Sequence, residues 1–375
     1  MARSVVRLAV IGMMVAAAAA VAQAGDGQEW GGAWQSGPAT TFPQAFMRFD
    51  GGYYAATGLV YFLGGRLADN NTDGSIWTFN PSTGTYADTG LDMPTPISNY
   101  TANLLNTPIG FGFHVFCGRD SAGTQTFGVQ AYFPDTNVTL QLDPADNFPG
   151  PVACGAGLNA VVDNKAYIAG GFDGTNMGVQ TWVFDPAAPV GSRWSRLSSA
   201  DLPQGLGYIT TAVVDGKIYA IGGAYWDGVS ALINVDTVLV LDPAAPTPTW
   251  TPVASLPEVC SSSRAWGFDT GSLYVDPSDM TPLAGKIIAG CGGWASVPPP
   301  PVANVYAYTV ATNTWEVFPP FNTARRDTAG EFLPLAGGPA LWVWGGYDGT
   351  GAGTTSVEYY SLGLIPVELQ TFTVE

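Results

Sequence analysis

The sequence predicts an all-β chain folded as a ring of six four-stranded antiparallel sheets. Three observations carry that expectation. The composition is rich in turn formers and aromatics, with 48 Gly, 29 Pro, 12 Trp, 16 Tyr and 18 Phe, while charged residues make up only 11%. Short aromatic strands joined by tight turns have this make-up, and helical chains do not. An apolar strand ending in a glycine pair recurs at a near-constant interval, and in most intervals an aromatic residue opens a later strand.

The interval decides the architecture. The copies are Val60-Tyr61-Phe62-Leu63-Gly64-Gly65, Ala166-Tyr167-Ile168-Ala169-Gly170-Gly171, Ile218-Tyr219-Ala220-Ile221-Gly222-Gly223, Ile287-Ile288-Ala289-Gly290-Cys291-Gly292-Gly293 and Leu341-Trp342-Val343-Trp344-Gly345-Gly346, with a degenerate sixth, His114-Val115-Phe116-Cys117-Gly118. Taking positions 64, 117, 170, 222, 292 and 345, the steps are 53, 53, 52, 70 and 53 residues. A polar turn follows each pair. A strand then ends near Phe79-Asn80-Pro81, Phe184-Asp185-Pro186, Leu241-Asp242-Pro243 or Tyr308-Thr309-Val310, and Tyr86, Trp194, Trp250 or Trp315 opens the next.

These residues resemble the Kelch repeat, whose signature is an apolar strand, a glycine pair, an aspartate-glycine turn and a spaced Tyr and Trp. The resemblance spans nearly all of the chain after its first 24 residues and implies a six-bladed β-propeller. It implies little about activity, because propellers host many unrelated functions. The physics of the repeat agrees. One four-stranded sheet of about 50 residues cannot bury both faces alone, so blades must stack. Glycine at the end of the second strand permits positive φ and close approach of a neighbour, and the aromatic fills the wedge between blades.

Taken in chain order, residues 1–24 read as a signal peptide: Arg3 and Arg7, an apolar run from Leu8 to Val21, and Ala22-Gln23-Ala24 as a cleavage pattern. The propeller is expected over 25–363. Trp34-Gln35-Ser36-Gly37-Pro38 has the Trp-to-Pro spacing of Trp315-Glu316-Val317-Phe318-Pro319. The sixth blade lacks a Trp-bearing fourth strand, so the N-terminal segment is expected to supply it and close the ring. Blade two, with Cys117 for glycine and Val138 for an aromatic, is expected to be irregular. The long step holds an insertion around Gly271 to Ala284, a candidate functional loop. Residues 364–375 form a C-terminal tail of unassigned role.

Without Arg3 and Arg7, 11 basic side chains face 30 acidic ones, so the formal net charge of -17 becomes -19. That balance argues against nucleic acid and anionic membrane surfaces as partners. No later segment is apolar enough to span a membrane. The expected location is secreted or periplasmic.

Little in the sequence points to catalysis. The single histidine, His114, reads as a core or channel residue, too few for a copper or zinc centre. There is no nucleophile elbow and no phosphate loop. Asp69-Asn70-Asn71-Thr72-Asp73-Gly74 matches half a calcium loop but has Asn80 where a bidentate Glu is required. Neither metal nor cofactor is expected. The cysteines can form two bridges, Cys117 to Cys154 and Cys260 to Cys291, since the start of strand one and the end of strand two share a face; four buried thiols are the alternative.

The ligand-binding candidates lie on that same face. Arg48, Arg264 and Arg326 are expected at strand entries of adjacent blades, and Phe172, Trp226, Trp294 and Tyr347 just past the glycine pairs. Guanidinium groups suit carboxylates and aromatic faces suit the C–H side of sugars. The expected function is a non-catalytic binding or surface-assembly module for a glycan or protein ligand. The alternative is a carbohydrate-active enzyme, because six Kelch blades behind a signal sequence are similar to the bacterial sialic acid mutarotases, which use Arg and Glu in such a mouth. Glu331 and Glu258 lie close in sequence to Arg326 and Arg264, but no catalytic motif maps residue by residue.

Overall fold

The computed structural model describes residues 30–37, 42–293, 301–335, 338–348 and 353–365. The signal sequence and its cleavage site, Trp294 and residues 366–375 lie outside these. Six four-stranded antiparallel sheets follow one another along the chain. Blade one is Gly51–Tyr54, Leu59–Arg66, Thr72–Asn80 and Thr85–Asp92; blade two Thr101–Thr107, Gly110–Arg119, Gln125–Phe133 and Val138–Gln141; blade three Leu158–Val162, Lys165–Ala169, Thr181–Phe184 and Trp194–Arg196. Blade four is Thr210–Val214, Lys217–Ile221, Val238–Leu241 and Thr251–Val253; blade five Ala265–Phe268, Lys286–Gly290, Val305–Thr309 and Thr314–Phe318. Blade six contains Ala329–Leu333, Ala340–Trp344 and Val357–Ser361, and its outer strand is Gln35–Ser36 from the other end of the chain.

The first strands neighbour one another cyclically, blade one touching both two and six, so they surround a central bore. On the outside of blade six, Gln35 lies opposite Tyr359 and Ser36 opposite Glu358. Trp34 anchors this segment. Its ring packs 4.6 Å from Phe321 and 5.7 Å from Tyr360, and its indole N–H donates to the Pro319 carbonyl at 2.9 Å.

Left-handed backbone explains the glycine pairs. Gly64, Gly170, Gly222 and Gly345 have φ of 75, 72, 61 and 57°, and a Cβ on Gly64, Gly170 or Gly222 would collide with the carbonyl oxygen of Asp73, Leu206 or Cys260. Cys117 takes the same conformation at φ 55° despite its side chain. It is bonded to Cys154, with Cα atoms 5.5 Å apart, which ties blade two to the entry of blade three. Cys260 is bonded to Cys291 within blade five, Cα atoms 5.0 Å apart. Blade two is therefore not the irregular blade the substitutions suggested; its four strands are complete and pair in order, and Val138 lies exposed opposite Phe133.

The blade-five insertion also departs from expectation. It joins strands one and two, so it lies at the end of the bore opposite the glycine pairs. There Tyr274–Val275 pairs with Gly363–Leu364, and Tyr360 Oη donates to buried Asp276 at 2.5 Å. Leu364 is thus paired rather than the start of a detached tail. Blade four carries a different extension on the glycine-pair face, the hairpin Ala224–Trp226 with Leu232–Asn234.

Candidate functional site

The glycine-pair face surrounds one end of the bore. Just ahead of each inner strand one residue adopts left-handed backbone: Arg48, Asn99, Ala156, Tyr208, Ser262 and Asp327, with φ of 54, 57, 57, 55, 54 and 57°. None is glycine. Each donates its backbone N–H to the carbonyl of its counterpart in the preceding blade: Asn99 to Arg48 at 2.9 Å, Ala156 to Asn99 at 2.7 Å, Tyr208 to Ala156 at 2.5 Å, Ser262 to Tyr208 at 2.9 Å, Asp327 to Ser262 at 2.7 Å and Arg48 to Asp327 at 2.9 Å. The six bonds form a closed loop. Left-handed geometry costs a non-glycine residue about 1–2 kcal/mol, and satisfying otherwise buried N–H and C=O groups offsets it.

Guanidinium groups collect over blades six, one and two. The Arg326 and Arg48 guanidinium carbons lie 4.9 and 5.5 Å from the centre of the Tyr347 ring, distances at which a cation is attracted to an aromatic face. Arg66 hydrogen-bonds Tyr347 and feels the charges of Arg48 and Arg119. Arg48 pairs with Asp327 at 3.4 Å and reaches Asn99 Oδ1 at 3.4 Å. Burial, followed by repulsion from Arg48, lowers the affinity of Arg66 for its proton. Arg326 is likewise lowered, chiefly by burial. For Arg48 burial works the same way, but Asp327 with the Tyr208 and Tyr347 phenols outweighs it and the net shift is upward. All remain charged at any ordinary pH.

The opposite side of the mouth, over blades three and four, is apolar. Phe172 lies 5.8 Å from Trp226 and 6.3 Å from Tyr208, and Met177 and Leu232 pack with them. Tyr208 joins the two sides, since Arg48, Arg119 and Arg326 all act on its phenol, which burial pushes upward. Beneath lies a cavity of about 160 Å³ lined by the six loop residues and, deeper, by Asn159, Thr211, Arg264, Thr328 and Gly330.

A Kelch-motif family model matches residues 206–257, the entry and body of blade four. No curated protein matches the chain by sequence. Among solved structures, "Structure of YjhT" superimposes with a TM-score of 0.65 at 15% identity, covering 86% of this chain and 99% of that one. The chain is a six-bladed β-propeller with a Kelch motif in its fourth blade.

Within this propeller the expected site residues fall into three groups. Arg48, Arg326 and Tyr347 converge on one side of the mouth and Phe172 with Trp226 on the other. Arg264 does not join them. The three arginines were expected at equivalent strand entries, but Arg326 precedes its loop residue by one, Arg48 is itself a loop residue, and Arg264 follows Ser262 by two. Arg264 points down the bore instead. It donates to the carbonyls of Thr328 at 2.6 Å and Phe49 at 3.0 Å, and pairs with Asp50 at 2.8 Å, crossing from blade five to blade one. A Cβ on Gly330 would come within 2.8 Å of its Cγ, so that glycine makes its room.

Arg66 and Arg119 were missed. They directly follow the glycine pairs of blades one and two, the slot held by Phe172 and Tyr347 in blades three and six, where only aromatics were sought. The closed loop gave no sequence signal beyond Asn99, because Arg, Ala, Tyr, Ser and Asp are not read as left-handed. The blade-five counterpart of this slot is Gly293, whose N–H donates to Ser261 O at 3.0 Å, so Trp294 is one residue further on.

The remaining candidates are structural. Glu331 accepts from the N–H groups of Tyr53 and Phe332, each at 3.0 Å, and burial raises its carboxyl to about 7. Glu258 Oε1 accepts from Asn304 Nδ2 at 2.7 Å and Tyr306 Oη at 3.1 Å, away from the bore. His114 lies among Phe133 and Phe184 with Nδ1 2.9 Å from the Gly112 carbonyl, and burial lowers it to about 4. In the half calcium loop, Asp69 accepts from Asn71 at 3.0 Å and Asp73 from the Ser75 N–H at 2.6 Å, ordinary turn chemistry.

Proposed function

We propose that this Kelch propeller is a non-catalytic binding module that holds an acidic glycan at its mouth. The convergence of Arg48, Arg66, Arg119 and Arg326 around Tyr347 and Tyr208 carries the reading. Asp327 forms an ion pair with Arg48 in this arc. In a chain of net charge -17, so local a positive excess fits an anion-binding surface, because guanidinium groups take carboxylates in paired hydrogen bonds. Phe172 and Trp226 across the mouth supply apolar faces for the C–H side of a sugar. The two disulfides fit an exported protein, secreted or periplasmic.

One observation favours the enzymatic alternative: Glu331, at about 7, is poised near neutral pH. Its oxygens, however, are both engaged by backbone N–H groups, and it does not line the cavity. An array of neutral, uronic-acid-bearing and sulfated glycans, probed with wild type and Arg66→Gln, tests the proposal. Acidic glycans should be retained by wild type, less so at high salt, and lost by the variant. An identical profile for both proteins would sink it.

A further inference from the structure

Most of the residues that line the cavity under the mouth are polar, and some carry unsatisfied atoms. Asn159 Oδ1, Ser262 Oγ and Thr328 Oγ1 are buried without a hydrogen-bond partner; Ser262 and Thr328 are only 8% and 2% exposed. Asp327 beside them is paired with Arg48 at 3.4 Å. Arg66 Nε, in the arc over the mouth, is unsatisfied as well. Native proteins pair nearly all such atoms with protein or with a polar guest. Here the unmet groups include two hydroxyls that can donate or accept and an acceptor on Asn159, a mixture that suits a polyhydroxylated guest better than a bare anion.

Size limits the guest. About 160 Å³ is roughly the volume that holds one six-membered ring such as benzene, and well below the 300–1,000 Å³ typical of larger ligands (about two- to six-fold). The cavity also ends part-way down the bore. Its inner-strand lining stops at Asn159, Thr211 and Gly330, whereas those strands continue to Val162, Val214 and Leu333.

We infer that the cavity receives a single sugar ring, so that the mouth recognises the acidic residue at the end of a glycan rather than one inside it. This rests on the binding reading above. The ring's hydroxyls satisfy Asn159, Ser262 and Thr328, and its carboxylate faces Arg48 and the arginine arc. The rest of the chain leaves across Phe172 and Trp226.

Calorimetric titration with two probes tests this: an oligosaccharide ending in glucuronic acid, and one of equal length with the glucuronic acid flanked by glucose on both sides. Wild type should bind the first at least tenfold more tightly. Ser262→Leu should fill the cavity without touching the arc; a long side chain is accommodated in that backbone conformation at Arg48 and Tyr208. Thr328→Val removes one hydroxyl at nearly constant shape and serves if Ser262→Leu does not fold. Each should weaken binding of the first probe at least fivefold. Equal binding of both probes, or full affinity in both variants, would mean that the cavity holds only water; the inference would fall while an arginine-lined binding mouth stood. If wild type bound neither probe, both would fall together.

Discussion

Arg325 and Arg326 are consecutive, yet they occupy opposite environments. Arg325 is fully buried in blade six. Its guanidinium pairs with Glu358 at 2.5 Å and donates to Ser356 Oγ at 2.6 Å and the Ser356 carbonyl at 3.1 Å, while Glu358 also accepts from the N–H groups of Asn322 and Thr323 at 2.6 and 2.9 Å. Every charge there is answered. One residue on, Arg326 faces the mouth, where guanidinium groups gather on Tyr347 and Arg48 repels it. The difference is one of surroundings: Arg325 is buried against its own carboxylate, whereas Arg326 shares the mouth with Asp327, Tyr347 and a second arginine.

The largest effect should come from removing the segment that completes the interior side. Deleting residues 30–37 takes away Trp34 and the outer strand beside Glu358, and should cost most of the marginal stability of a typical domain, roughly 5–15 kcal/mol. An unchanged denaturation midpoint would show that blade six does not need it. Arg325→Met comes next, at about 3–5 kcal/mol, because Glu358 would be left charged and buried; urea unfolding measures it. A loss below about 1 kcal/mol would erase the contrast between the two arginines.

Glu331 gives a smaller, pH-dependent effect. Its folded value of about 7 lies above the ordinary glutamate value of about 4.5, so between these limits the folded state holds more protons than the unfolded. The contribution of Glu331 to stability should therefore be greatest below about pH 4.5 and be lost as pH rises through 7, by about 3 kcal/mol, with a flatter profile across that range for Glu331→Gln. The smallest effect on stability should be that of Arg326→Gln, a loss of about 0.5–1 kcal/mol, since the substitution removes the attraction of Asp327 and Tyr347 together with the repulsion of Arg48. Its glycan binding should nevertheless fall at least tenfold. Thermal melts and the glycan array together check both halves.

The fold was legible because a repeat states the same local solution six times. Left-handed turns, apolar second strands and wedge aromatics are each local, and even the degenerate copy at Cys117 kept its neighbours' spacing. The site was legible only in part. Arg48, Arg326, Tyr347, Phe172 and Trp226 could be placed on one face from the repeat register. Arg264 could not be placed at its depth, because a shift of two residues along an inner strand turns a mouth residue into a bore residue. Arg66 and Arg119 were hidden because their slot looked aromatic in other blades.

By itself the sequence determined the number of blades, the repeating second strands with the aromatics that open the outer ones, and the face on which polar and aromatic residues gather, since these follow from spacing along one chain. Only the tertiary structure decided which arginines meet on Tyr347, that six non-glycine residues close a hydrogen-bonded loop around the bore, and that a small polar cavity lies beneath it. Those features join residues from all six blades. They exist only when the ring brings those blades within a few ångströms of one another, and no local pattern records that distance.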